Sequence, residues 1–164
     1  YDPTLHEILS ADEQYAIGVF SIDRQTAKPR KDIAKWSDVR GSVSYFYDAL
    51  FEPDYTLPEN VPPAAAAAVL GRYAPVYSEN DDKDRWFSKI RALCAPFGYA
   101  PDMKEYRKNP ESYKGHVGDI SGAVRAAVTG RLNSPDLYEI MRLLGHERTL
   151  RRITAAAEYY RSLA

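Results

Sequence analysis

Apolar residues recur at three- and four-residue intervals along nearly the whole chain, and no alternating stretch of useful length appears. The pattern predicts helices throughout and an all-α fold. Ser10-Ala11-Asp12-Glu13 has the spacing of a capping box and predicts the start of a helix carrying Tyr15, Ile17, Val19 and Phe20. Asp32 or Ser37 is expected to cap the next, whose Val39, Val43, Phe46, Tyr47 and Leu50 recur at helical spacing. Phe51 to Pro63 holds four prolines and three acids in thirteen residues, must leave the helix, and sets a sub-domain boundary. Beyond it, Pro62-Pro63 precede an alanine-rich helix that Gly71 or Pro75 ends. The acidic run Ser78 to Asp84 suits the first turn of a helix with Trp86, Phe87, Ile90, Leu93, Cys94 and Phe97 on one stripe. Pro96 and Gly98 close that helix. The polar segment from Pro101 to His116 predicts a short helix and a loop. Three further helices follow, over Val117–Thr129, Pro135–Leu144 and His146–Leu163.

Composition narrows the class. A length of 164 residues with 45% apolar content suits one domain or two small ones. No apolar run approaches the roughly 18 residues of a membrane span, and no secretory leader opens the sequence, so no membrane partner is expected. Cys94 is the single cysteine, which excludes an internal disulfide and a thiolate metal cluster and fits an intracellular, reducing compartment. The start at Tyr1, without Met, is consistent with an excised fragment. The net charge of −1 hides an asymmetry. Residues 1–103 carry 11 Lys+Arg against 16 Asp+Glu, and residues 104–164 carry 11 against 7. A basic C-terminal third is either a solvated face or a local phosphate footprint.

Gly130, Ser134 and Pro135 are first of all helix punctuation: a left-handed residue after a helix, an N-cap and a first helical position. A helix N-terminus flanked by Arg131 and Asn133 is also a ready site for phosphate or base edges, and Arg125 lies within reach of the same mouth. The bland alternative for Arg125 is an ion pair with Asp119 or Glu139. Lys28, Arg30, Lys31 and Lys35 form a basic cluster at a helix start, either solvated or set to neutralise phosphates. Trp36, Trp86 and most of the 13 tyrosines are expected in the core. Tyr106, Tyr113 and His116 are the candidates for exposed base stacking. The three histidines are too scattered for a metal site, and Cys94, on the buried stripe, is expected to be inert. Asp136 and Glu139 favour a helix N-terminus. No Gly-rich phosphate loop, serine elbow or buried carboxylate pair is present.

Two blocks carry a family resemblance. VRAAVTGRLNSPDLYEIMRLLGHER, from Val124 to Arg148, resembles the C-terminal anticodon-binding region of bacterial glutamyl-tRNA synthetases. FSIDRQTAKPRKDIAKWSDVRGSVSYFYDALF, from Phe20 to Phe51, is similar to the region that follows the catalytic half of that family. The resemblance implies two packed helical sub-domains, 1–58 contacting the anticodon stem and 59–164 forming a cage at the loop. It implies that Arg125, Ser134, Pro135 and Leu137 lie against the anticodon, with Arg131 and Asn133 beside them and Arg30 supplying a further arginine, Arg24 and Arg40 standing behind it. Lys31, Lys35, Arg40 and Lys114 are the implied contacts to the tRNA backbone and stem. The implied partners are a glutamate-accepting tRNA, with glutamine-accepting tRNA as an alternative, and an N-terminal catalytic domain that uses ATP and magnesium. The HIGH- and KMSKS-type signatures of that catalytic domain are missing from the sequence, so the chain itself is expected to select tRNA rather than activate an amino acid. Two rivals stay open: the related region of a class I lysyl-tRNA synthetase, and a helical protein-interaction module without an RNA role.

Overall fold

The computed structural model describes residues 2–164. The first two helices start where a carboxylate can take a free backbone N–H. Asp2 accepts from Leu5 N at 3.0 Å and, with Pro3 in the first turn, opens α1 (Pro3–Ala11). Asp12 accepts from Tyr15 N at 2.9 Å and opens α2 (Glu13–Ser21). Ser10 is therefore not the expected cap: it lies inside α1, and Asp12 caps α2 one residue before Glu13. The next helix is shorter than the periodicity implies. α3 runs Ser37–Val43 and gives way to two 3-10 turns, Ser44–Phe46 and Asp48–Leu50. Neither Asp32 nor Ser37 caps it. Asp32 is engaged by Arg24 and Arg30, whereas Asp38 reaches back to the N–H groups of Ala34 and Lys35, each at 3.2 Å.

The Pro-rich stretch leaves the helix as expected, and α4 (Pro63–Tyr73) begins with proline in its first turn. Gly71 does not end α4; the chain tightens into the turn Ala74–Val76 around Pro75. α5 (Lys83–Ala92) is capped by Asp82. The short α6 (Cys94–Phe97) stops at Gly98, whose φ of 81° is left-handed. Trp86, Ile90, Leu93 and Cys94 are buried, whereas Phe87 is exposed. After α7 (Met103–Lys108), α8 occupies Val117–Thr129 as expected and ends on Gly130 at φ 70°. α9 (Leu137–Leu144) starts later than expected, because Asp136 rather than Ser134 is its cap and Pro135 lies before the helix. α10 covers His146–Ser162.

α10 lies along α4 and α8, with α9 beside it, around a core that includes Leu70, Tyr73, Ile120, Val124, Ile140, Ile153 and Tyr160. The core continues through Tyr45, Phe46, Val43 and Val19 to Leu5. No strand is present among the described residues; Ala100 and His116 form one isolated bridge. Among the contacts that tie the first third to this bundle, two are especially close-packed. Arg152, 3% exposed, donates to the carbonyls of Tyr45 and Val128 and to Asp48. Gly130 sits so close to Pro53 that a Cβ on it would lie 2.5 Å from the proline Cα.

Trp86 is buried as expected, but Trp36 is 92% exposed. It stands at the start of α3, after the loop that carries Lys28, Lys31 and Lys35, at the rim of a groove shared with Leu5, Leu9 and Val39.

Candidate functional site

The two basic blocks singled out in the sequence meet around one cavity of about 590 Å³. One wall is the loop after α2, with Asp23, Lys28, Arg30 and Asp32. The opposite wall is the α8–α9 connection, with Arg131, Asn133, Ser134 and Pro135. Tyr45 lies between them, with Gly41 and Ser42 of α3.

Arg30 is the least satisfied group in this arrangement. Its Nε donates to Asp32 Oδ1 at 2.7 Å, and its side chain is 11% exposed. Both terminal nitrogens are buried and meet no hydrogen-bond acceptor among the described residues. A guanidinium carries five N–H donors, and leaving most of them dry and unpaired is costly. Such a fork is matched by a ligand that presents two acceptors in one plane. Arg24 donates to Arg30 O at 2.6 Å and to Asp32 at 3.1 Å, so it steadies the loop from behind.

Arg131 crosses the cavity. Its Nη1 donates to Gly41 O at 2.5 Å and its Nη2 to Ser44 Oγ at 2.8 Å, with the guanidinium carbon 5.3 Å from the Tyr45 ring centroid. Arg125 lies behind the Ser134-Pro135 wall. It donates to Ser134 Oγ, to Ser134 O at 3.2 Å and to Pro135 O at 2.8 Å, instead of pairing with Asp119 or Glu139. Burial lowers its pKa, partly offset by the nearby Asp136 carboxylate. Because Arg125 holds Ser134, the serine cannot cap α9, and Asp136 accepts the Glu139 N–H at 3.1 Å instead. Leu137 is 2% exposed beneath the wall. The Tyr45 phenol is pushed up to about 12 by its burial, against the pull of Arg30, Arg131 and Arg125. The sequence expectation that most tyrosines pack in the core is all that touches Tyr45; its place between two distant loops has no local signal.

Lys31 and Lys35 are exposed on the same loop as Arg30 and, like Lys28, form no ion pair among the described residues. Arg40 is held by Asp2 through two hydrogen bonds of 2.6 and 3.0 Å. Lys114 is exposed, packs beside Gly98, and is not among the residues around the cavity. The proposed stacking groups are engaged elsewhere. Tyr106 meets the His116 ring edge-on at 5.2 Å, and Tyr113 donates to Glu105 at 3.2 Å. His116 Nδ1 accepts the Gly118 N–H at 2.9 Å at the start of α8. Burial raises the Cys94 thiol to about 11, which leaves it protonated and unreactive near neutrality. Among the described residues no three His, Cys, Asp or Glu side chains gather as a metal site, and no helix is long and apolar enough to cross a membrane.

Residues 104–157 match the family described as "Anticodon binding domain". The chain is similar to the protein "Glutamate--tRNA ligase" of Clostridium perfringens (strain 13 / Type A), with 44% identity over 157 residues, 93% of this chain and 29% of that protein. It is 39% identical over 155 residues to the "Glutamate--tRNA ligase" of Sorangium cellulosum, covering 93% of the chain and 27% of that protein. Its identity to the protein of the same name from Acetivibrio thermocellus is 38% over 153 residues, with 93% and 28% covered. The chain thus spans less than a third of the length of the curated relatives it matches.

Proposed function

We propose, from its match to an anticodon-binding domain and its likeness to glutamate–tRNA ligases, that the chain is an anticodon-binding region of that family and reads the unpaired anticodon bases of a glutamate-accepting tRNA in the cavity above Tyr45. The observation that carries this reading is the buried, unpaired fork of Arg30, a residue that lines one cavity with Arg131, Asn133, Ser134 and Pro135. Sequence-specific RNA readers splay loop bases out and bond their Watson–Crick edges to planar donors. Arg30 and Arg131 supply such donors, and the Asn133 side chain offers both a donor and an acceptor.

Lys28, Lys31 and Lys35 then lie where the RNA backbone leaves the cavity, and neutralise phosphates without choosing sequence. Residues 1–58 face the anticodon stem and residues 59–164 form the cage at the loop. Arg125 and Leu137 shape the wall from behind and below. Arg40, and Lys114 beside Gly98, take the outer stem contacts. ATP and magnesium, which attachment of glutamate to tRNA requires, act in the length of the relatives beyond this chain. The segment selects the tRNA for that reaction, in the cytoplasm.

Filter binding of glutamate, glutamine and lysine tRNAs across a salt series tests this. Preference for glutamate tRNA over lysine tRNA, with affinity falling steeply as salt rises, is the expected result. Absence of tRNA binding even at low salt overturns the reading and favours a protein-interaction module. Equal binding of glutamate and glutamine tRNAs assigns the broader specificity.

A further inference from the structure

We propose that Asp23 is the positioning residue of this cavity, holding the Arg30 loop and the entrance to α9 in one fixed arrangement; this rests on the reading of the cavity as an RNA-base site. Asp23 stands just past α2 with φ 56°, a left-handed backbone position that Asp and Asn tolerate and most other side chains avoid. That bend turns its two acceptors in different directions. Its carbonyl accepts the Arg30 N–H at 2.9 Å, which closes the basic loop on itself. Its carboxylate Oδ2 accepts the Asp136 N–H at 2.9 Å, across 113 positions of sequence.

One residue therefore grips both walls. On its own side, Asp32 and Arg24 complete the fixing of the Arg30 backbone and Nε. On the far side, the residue it holds is itself the cap of α9 and the successor of Ser134-Pro135. The offset between the Arg30 fork and the Ser134-Pro135 wall is set through Asp23. Both of its bonds go to backbone N–H groups, so its effect on a base is exerted through Arg30 and α9.

The backbone and carboxylate roles separate by substitution. Asp23→Asn keeps the left-handed preference and a side-chain acceptor. Asp23→Gly keeps the backbone bend but removes the acceptor for Asp136. Asp23→Ala removes the acceptor and strains the bend. The readouts are amide hydrogen exchange at Asp136 and Arg30, and the ratio of affinities for glutamate tRNA and an anticodon-swapped copy.

Asp23→Asn should match the parent in both. Asp23→Gly should speed exchange at Asp136 and leave Arg30 unaltered, while the affinity ratio falls roughly tenfold. Asp23→Ala should speed exchange at both amides and lower the ratio at least as far. A role in stability alone would lower the melting temperature and both affinities together, leaving the ratio untouched. Unchanged Asp136 exchange in Asp23→Gly overturns the positioning role. So does an unchanged ratio in Asp23→Gly when Arg30→Lys loses it. If Arg30→Lys also leaves the ratio unchanged, the reading of the cavity falls instead, and the role of Asp23 within it falls too.

Discussion

Arg152 donates from Nη2 to Asp48 Oδ1 at 2.9 Å, joining residues 104 positions apart, while its Nη1 holds the carbonyls of Tyr45 at 2.6 Å and Val128 at 2.8 Å. Its guanidinium carbon also lies 3.7 Å from the Phe51 ring centroid. A single buried cation thus collects α8, α10 and the turns after α3.

Replacing Arg152 with Leu leaves the buried carbonyls of Tyr45 and Val128 without this donor and takes from Asp48 one of its three arginine partners, Arg148 and Arg151 remaining. The expected loss is on the order of 3 kcal/mol, as for breaking one side of a buried polar network. For a chain of this size that lowers the melting temperature by roughly 6–12 °C. Differential scanning calorimetry of Arg152→Leu beside Arg151→Leu, whose ion pair is largely exposed, checks it. The Arg151 variant should melt close to the parent.

Arg30→Lys keeps one charge but loses the planar fork. Its expected effect is a loss of discrimination between glutamate tRNA and an anticodon-swapped copy of roughly 1–3 kcal/mol. Lys31→Ala should instead weaken both tRNAs equally and reduce the slope of log affinity against log salt by about one. Filter binding across a salt series reads both.

Gly130 and Gly71 should respond to alanine with opposite signs. Gly130 combines φ 70° with the approach of Pro53, so Gly130→Ala is expected to cost more than about 2 kcal/mol. Gly71 lies exposed within α4, and a Cβ there would meet nothing within 4 Å. Gly71→Ala should stabilise by about 0.5–1 kcal/mol. Urea denaturation of the two variants measures both effects.

Acid and alkali should attack different bonds. The Arg40 hydrogen bond, with that of the Leu5 amide, lowers Asp2 from its ordinary 3.8 to about 2. A depressed carboxylate contributes fully above its unfolded value and loses that contribution as pH falls through its folded one. The Asp2 contribution should therefore fade between about pH 4 and 2 and be smaller in Arg40→Ala, where the Leu5 amide still bonds the carboxylate. Burial raises the Tyr45 and Tyr47 phenols to about 12, so their contribution is complete below the ordinary value of 10.0 and fades as pH climbs toward 12. Denaturant midpoints measured across both ranges, with phenolate absorbance at the alkaline end, follow the two processes.

The helices were legible wherever local chemistry acts alone. α8 begins and ends where its apolar stripe and Gly130 indicate, and the proline-rich break is a break. Misreadings came where two residues competed for one task. Ser134 and Asp136 both suit an N-cap, and a long-range partner, Arg125, removes the serine from contention. Asp12 wins over Ser10 because α1 continues past the serine. Of the candidate site, the basic and turn residues could be nominated from their positions, but not their convergence on Tyr45. Asp23 carries no local signal for the same reason: its partners are a backbone amide seven residues away and another 113 away, and no periodicity connects them.

Trp36 and Trp86 differ in one further respect: they make the unlabelled molecule a two-channel optical probe. The indole of Trp36 lies open to water at the end of the lysine-bearing loop, whereas Trp86 is enclosed beside Tyr138, ring centroids 5.7 Å apart. Emission from Trp36 should be red and open to quenching by acrylamide, and emission from Trp86 blue and shielded until the bundle melts. RNA bound along Lys31 and Lys35, as proposed above, should change the first colour without disturbing the second, so that occupancy and unfolding can be followed separately in one cuvette.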